Sequence, residues 1–286
     1  MRRNGVNMLV TLEEILDKAE RGGFCVPAFN VYNMETVMGV LDAAEEMRSP
    51  VIMQIYPRLI AEKAGYFLAP VILAAAKKAT VPVCFHLDHG PSELETTRSL
   101  RYGATGIMLD ASKFSLEENI ALTKKVVDAC SYVGVKVEGE LGFIGDTKTN
   151  NGDEFTRPED AARFVKETGV CCLAVAVGTA HGRYTKPPKL DIERIAAIRK
   201  ATDNTALVLH GGSGVPDEEI VKAVKAGIRK MNFATDICYA FLDTCKAMLN
   251  SPERIIAIDN FMKKPIEAVK EFCVSKIKLL GASGRA

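Results

Sequence analysis

Runs of apolar residues alternate along this chain with stretches whose apolar positions recur every three or four residues. The runs are Cys25 to Val31, Val51 to Tyr56, Val81 to Leu87, Gly106 to Leu109, Val135 to Glu140, Cys172 to Val177, Ala206 to His210 and Ile228 to Phe233. Most are apolar at neighbouring positions, as strands covered on both faces require. Helical spacing covers Thr11 to Arg21 ahead of the first run. It then follows the runs at Met34 to Met47, Ala64 to Ala79, Glu93 to Tyr102, Leu116 to Tyr132, Pro158 to Thr168, Asp191 to Lys200, Asp217 to Ala226 and Asp236 to Leu249. Ser115, three residues before Glu118, reads as a helix cap. Eight strand-then-helix units predict an α/β fold of the (β/α)8 TIM-barrel type. A doubly wound open sheet normally has fewer strands, and no Gly-x-Gly-x-x-Gly follows the first run. Residues from about Pro252 to Ala286 are expected to form a C-terminal helical extension ending in a flexible Gly281-Ala-Ser-Gly-Arg-Ala tail. No linker or low-complexity tract interrupts the 286 residues, so a single domain over 1–286 is expected.

Charge and cysteine usage narrow the function. With 37 Lys plus Arg against 36 Asp plus Glu, the balance argues against a nucleic-acid partner. The stretch Phe67 to Ala76 is broken by Pro70 and too short to span a bilayer, and the N-terminus lacks the apolar core of a secretory signal. A soluble, cytoplasmic protein with no membrane partner is expected. The eight cysteines include no Cys-x-x-Cys pair and sit largely in apolar surroundings, as reduced core thiols do.

All four histidines fall near the ends of apolar runs: His86 and His89 in His86-Leu-Asp-His-Gly, His181 in Thr179-Ala-His-Gly, and His210 in Leu209-His-Gly-Gly-Ser-Gly. Strand C-termini of a barrel form its active face. There Asn30, Asp88, His89, Asp110, Glu138, Glu140, His181, His210 and Asn232 would gather. Three imidazoles with a fourth position open make a catalytic zinc site, assigned to His89, His181 and His210. Glu140 is read either as a second or alternate metal position or as a carboxylate orienting a ligand. His86, deeper in its strand, is read as a core residue or a partner of a ligand. Asp88 is expected to accept a substrate hydroxyl proton, its alternative role being an acceptor for an imidazole N–H.

The glycines after His210 and the Asn232-Phe-Ala-Thr turn lead into helices, a setting in which backbone N–H groups cradle phosphate. Gly212, Ser213, Ala234 and Thr235 are the expected donors. Metal, base and cradle together suggest retro-aldol chemistry on a phosphorylated ketose, with a Lewis acid at the ketone oxygen and no Schiff-base lysine. The same chemistry on a deoxy or acidic ketose phosphate, a non-catalytic phosphosugar sensor, and a metal-dependent epimerase or isomerase are the competing readings.

These residues closely resemble the class II, zinc-dependent ketose-bisphosphate aldolases, especially the tagatose-bisphosphate and fructose-bisphosphate aldolase branch. The resemblance rests on Val26-Pro-Ala-Phe-Asn-Val, Ser49-Pro-Val-Ile-Met-Gln, His86-Leu-Asp-His-Gly, Glu138-Gly-Glu-Leu-Gly, Gly178-Thr-Ala-His-Gly, Leu209-His-Gly-Gly-Ser-Gly, Asn232-Phe-Ala-Thr and Gly284-Arg-Ala. It implies Zn2+ on His89, His181 and His210, with Asp88 handling the proton of the hydroxyl across the broken bond. It further implies dihydroxyacetone phosphate held by Gly182, Gly211, Gly212, Ser213, Asn232, Phe233, Ala234 and Thr235. Asn232 would assist the enediolate, a monovalent cation (Na+ or K+) would sit near the phosphate loops, and the protein would form a homodimer or homotetramer. Two positions depart from the family pattern. Lys148 stands where a loop glutamate is expected to move the proton of the three-carbon fragment, leaving Asp146, Asp153 and Glu154 as nearby acids. Tyr56-Pro57-Arg58 replaces a small hydroxyl residue after the second strand, and Arg58 is suited to pairing with a substrate anion.

Overall fold

A computed structural model describes residues 8–142, 155–180, 182, 184, 187–252 and 255–286. Eight parallel strands close into a barrel in sequence order. They are β1 (Val26–Asn30), β2 (Val51–Ile55), β3 (Val83–Gly90), β4 (Gly106–Leu109), β5 (Lys136–Leu141), β6 (Cys172–Val175), β7 (Ala206–Leu209) and β8 (Ile228–Phe233). β8 pairs with β1 through Ala28 and Asn232, which closes the ring. The helices of the described residues are α1 (Leu12–Gly22), α2 (Met34–Glu46), α3 (Pro57–Ala61), α4 (Lys63–Lys78), α5 (Glu93–Arg101), α6 (Leu116–Ser131), α7 (Pro158–Thr168), α8 (Ile192–Ala201), α9 (Asp217–Ala226), α10 (Thr235–Leu249) and α11 (Ile258–Leu279). The expected barrel is therefore the observed one. None of these helices is long and apolar enough to cross a membrane.

Local chemistry sets the boundaries. Thr11 with Glu14, and Ser115 with Glu118, form reciprocal capping boxes that satisfy the first N–H groups of α1 and α6. α1 touches β1, β3, β4, β5 and β8, so it lies across the N-terminal end of the barrel with Leu12, Ile15, Leu16 and Ala19 buried beneath it. α11 packs mainly on α2 and α10. A Cβ on Gly39 of α2 would come within 2.8 Å of the Ile266 carbonyl oxygen of α11, so that approach requires glycine.

Three features differ from the sequence reading. Pro57 starts the short helix α3, which occupies the turn after β2. Five residues are too few for a 3.6-residue period to declare itself. The C-terminal segment is not a loose tail: Gly284 N–H donates to Met47 O at 2.9 Å, Ala286 N–H to Arg48 O at 2.8 Å, and Ala282 is buried. Finally, β3 runs beyond Leu87 through Gly90, with a shift in its pairing to β4 between Leu87 and Gly90.

Candidate active site

The β3 irregularity builds the centre of the site. Side chains alternate along a strand, so Asp88 and His89 would ordinarily point to opposite faces. His89 instead adopts φ +47° within the bulged segment, and both side chains line one cavity at the C-terminal end of the barrel. That cavity, of about 790 Å³, is also bordered by Asn30, Tyr32, Tyr56, Arg58, Asp110, Lys113, Glu140, Gly182, Gly211, Ser213, Asn232, Ala234 and Thr235.

Asp88 is fixed by two amides. Asn30 Nδ2 donates to Oδ2 at 2.8 Å and Asn232 Nδ2 donates to Oδ1 at 3.0 Å. Gln54 Nε2 in turn donates to Asn30 Oδ1 at 2.8 Å. Burial would raise the Asp88 carboxyl, but the charges of His89, His210 and Lys230 and the Asn30 hydrogen bond outweigh it and hold the group below the ordinary range. Asp88 thus stays an anion, and His89 Nε2 lies 4.0 Å from its Oδ1.

Both described histidines of the expected metal set face this carboxylate. The rings of His89 and His210 lie 4.6 Å apart, centre to centre. His89 Nδ1 lies 2.8 Å from Asp110 Oδ2, leaving Nε2 toward Asp88. His210 Nε2 lies 2.8 Å from Glu138 Oε1, and its Nδ1 lies 3.0 Å from Glu140 Oε2. Ligand atoms of Asp88, His89 and His210 all fall within 4.8 Å of one another, and so do those of His89, Asp110 and Glu140. Four carboxylates, on Asp88, Asp110, Glu138 and Glu140, surround the two rings, against the buried ammonium of Lys230. Burial would lower the His89 imidazolium, yet Asp88, Asp110 and Glu140 lift it to about 10. Such a negative, nitrogen- and oxygen-rich enclosure fits a divalent cation. Buried Glu140 Oε2, lacking a hydrogen bond of good geometry among the described residues, fits it too. His181 lies outside the described residues, as do Asp146, Lys148, Asp153 and Glu154.

The glycine-rich side is more selective than the sequence suggested. Gly182, Gly211, Ser213, Asn232, Ala234 and Thr235 border the cavity, whereas Gly212 and Phe233 do not. Gly212 N–H is spent on Asn232 O at 3.2 Å, and a Cβ there would come within 2.8 Å of that same oxygen. A glycine there lets the β7 turn pack closely on β8. The Phe233 ring is buried, 5.7 Å from Phe29 and 6.0 Å from Phe272. Ala234 at the cap position of α10 offers no side-chain acceptor and Ser213 Oγ accepts the Asp236 N–H at 3.3 Å, while the helix N-terminus at Ala234 and Thr235 borders the cavity. Asn232 has its oxygen on Lys230 Nζ at 2.7 Å and its nitrogen on Asp88, which makes it an orienting group for that carboxylate as well as a cavity wall.

His86 is fully buried, its Nε2 3.4 Å from Glu138 Oε2, and burial with the Lys230 charge lowers it to about 3, so the ring is neutral. Lys230 and Lys113 are the charged residues that sequence reading passed over. Lys230 carried a signal nonetheless: it sits two positions before Asn232 on β8 and shares its face.

The fold and this rim arrangement define a barrel enzyme of the metal-dependent aldolase class. The sequence profile of the class II fructose-bisphosphate aldolases matches residues 10–285, and the chain belongs to that family. It is similar to the Escherichia coli protein YdjI, 38% identical over 283 residues that cover 98% of this chain and all of that protein. The crystal structure of the YdjI aldolase superposes with a TM-score of 0.88 at 37% identity, covering 97% of this chain and 99% of that one. A putative fructose-1,6-bisphosphate aldolase from Coccidioides immitis gives 0.87 at 28% identity, covering 96% and 97%. The fructose-bisphosphate aldolase of Campylobacter jejuni gives 0.81 at 25% identity, covering 97% of each chain.

Proposed function

We propose that this enzyme reversibly cleaves a ketose phosphate into dihydroxyacetone phosphate and an aldehyde, with fructose or tagatose 1,6-bisphosphate as the leading substrate. The observation that carries the reading is the Asp88 carboxylate, kept anionic and aimed by two amides beside His89 and His210. Zn2+ would be held by His89, His210 and His181, with Glu140 as an alternate position. When bound, the ion supplies a Lewis acid for the ketone oxygen. Asp88 takes the proton of the hydroxyl across the scissile carbon–carbon bond. That oxygen becomes the aldehyde carbonyl as the bond breaks, and the bonding pair remains on the three-carbon half, which then gains a proton at carbon. The phosphate of that half would rest on Gly182, Gly211, Ser213 and the N-terminus of α10, with Na+ or K+ nearby.

The aldehyde half would reach β2 and β4, across the barrel from β7 and β8. There Arg58 and Lys113 border the cavity, neither paired with a carboxylate among the described residues. The Arg58 guanidinium lies 5.4 Å from the Tyr56 ring centre and 5.9 Å from that of Tyr32, which limits its freedom and prepares it for an anion. A distal phosphate fits these cations, and the planar guanidinium equally favours a second reading, the carboxylate of an acidic sugar phosphate. A homodimer or homotetramer in the cytoplasm is the expected setting.

Coupled detection of dihydroxyacetone phosphate over a panel of phosphorylated ketoses, with and without chelator, tests the reading. Chelator-sensitive release of dihydroxyacetone phosphate is expected. Binding without turnover would make the protein a sensor, and a product of unchanged mass would make it an epimerase.

A further inference from the structure

We propose that Lys230 is a positioning residue whose ammonium, sealed inside the barrel, sets the orientation of both Asp88 and His210. Lys230 is fully buried, with Nζ 2.7 Å from Asn232 Oδ1 and 2.9 Å from Glu138 Oε2. An ammonium only donates. Asn232 must therefore turn its oxygen down to Lys230, which leaves its NH2 group facing upward to donate to Asp88 Oδ1 at 3.0 Å. Were the amide reversed, its oxygen would confront the Asp88 carboxylate and one of the two supports of that group would become a repulsion.

The second branch runs through Glu138. Lys230 occupies Oε2, so Oε1 is the oxygen that receives His210 Nε2 at 2.8 Å. This fixes the plane of the ring and presents Nδ1 toward Glu140 Oε2 and the cavity. One cation thus selects the rotamer of an asparagine on β8 and the ring orientation of a histidine just after β7. Fold stability does not call for this arrangement, because a buried ion pair is commonly no better than apolar residues of the same volume. The ordered network above it does.

The assignment rests on the proposed roles of Asp88 and His210. Its test compares Lys230→Met with the double variant Lys230→Met, Glu138→Gln, reading zinc affinity by chelator competition, thermal unfolding, and kcat and KM separately. Lys230→Met is expected to weaken zinc binding by roughly tenfold, the lower end of what disturbing a ligand's hydrogen-bond partner costs, because Glu138 loses the cation that holds it against His210. It should also lower kcat far more than it changes KM.

If the single variant fails to fold because Glu138 is left uncompensated, the double variant decides. The glutamine introduced there keeps an oxygen for His210 without a charge, so melting and zinc binding should approach wild type, while kcat stays low because the Asn232 oxygen has lost the donor that anchors it. Wild-type kcat in a stable double variant would overturn the assignment, as would a soluble single variant with unchanged zinc affinity and kcat. Zinc competition remains readable even if no ketose phosphate is cleaved, so the failure of the activity and the failure of this assignment stay distinguishable.

Discussion

Replacing Asn30 by alanine removes one of the two amides that hold Asp88 and should be felt far more in kcat than in KM. Asn30 Nδ2 donates to Asp88 Oδ2 at 2.8 Å while its oxygen receives Gln54 Nε2, also at 2.8 Å, and Asn30 is only 1% exposed. A hydrogen bond to a charged group contributes about 1.5–3 kcal/mol. If that support acts on the base during proton transfer, its loss costs roughly tenfold to 150-fold in rate. The Gln54 donor left unsatisfied in the interior costs about 1–3 kcal/mol of stability. In a chain of this size that lowers Tm by roughly 2–6 °C. Asn30→Asp is the sharper companion, because it sets a second carboxylate where the donor stood, and two carboxylates so close share a proton. The assay is dihydroxyacetone phosphate release by metal-saturated protein, with kcat and KM separated and Tm recorded on the same samples. A lowered Tm with kcat within about twofold of wild type in both variants, far short of the change expected from the lost bond, would refute the idea that aiming Asp88 matters to turnover.

Removal of the metal by a chelator should abolish turnover, with recovery on addition of a divalent cation; activity that survives exhaustive chelation would contradict the metal reading. Gly211→Ala should raise KM and lower Tm, because Gly211 has φ +64° and a Cβ there would collide with the Ala180 carbonyl oxygen; unchanged KM would separate this turn from substrate binding. Arg58→Ala should raise KM by about fivefold, the equivalent of a partly exposed ion pair of about 1 kcal/mol, for a ketose with an anion at its far end and leave KM unchanged for one without; equal effects on both would dismiss Arg58 as the distal anchor. Of the eight thiols, only Cys171, Cys238 and Cys245 are partly exposed, so a thiol-disulfide reagent should label at most three in the native protein. Burial pushes the Cys84 thiol up to about 12, which adds a chemical barrier to the steric one; rapid reaction of more than those three would contradict the packing.

The strands were legible because a barrel wall covered on both sides leaves long apolar runs, and β4 and β8 coincide with the runs Gly106 to Leu109 and Ile228 to Phe233. The rim residues were legible for a related reason: a polar side chain at the end of such a run must face solvent or a site. Period-two reasoning stops where the backbone breaks it, and in β3 it assigns Asp88 and His89 to opposite faces that the bulge reunites. It also cannot tell a strand's inward polar residue from an outward one without a reference, which is why Lys230 stayed unnoticed between Arg229 and Met231. The C-terminal glycines read as loose because composition records conformational freedom, whereas the two backbone hydrogen bonds to Met47 and Arg48 are tertiary. The glycine turn after β7 was recognisable as a turn, but only packing distinguishes Gly211, at the cavity, from Gly212, bonded to Asn232.

The left-handed backbone at His89 has a bearing on what this position can become. Among side chains other than glycine's, that conformation is entered most readily by asparagine, aspartate and histidine, and least by branched or bulky ones. Those same three carry a nitrogen or oxygen lone pair a short reach from the main chain. The geometry of the polypeptide at this point therefore filters incoming mutations toward lone-pair donors, and a drift to valine or isoleucine would be opposed by the main chain itself.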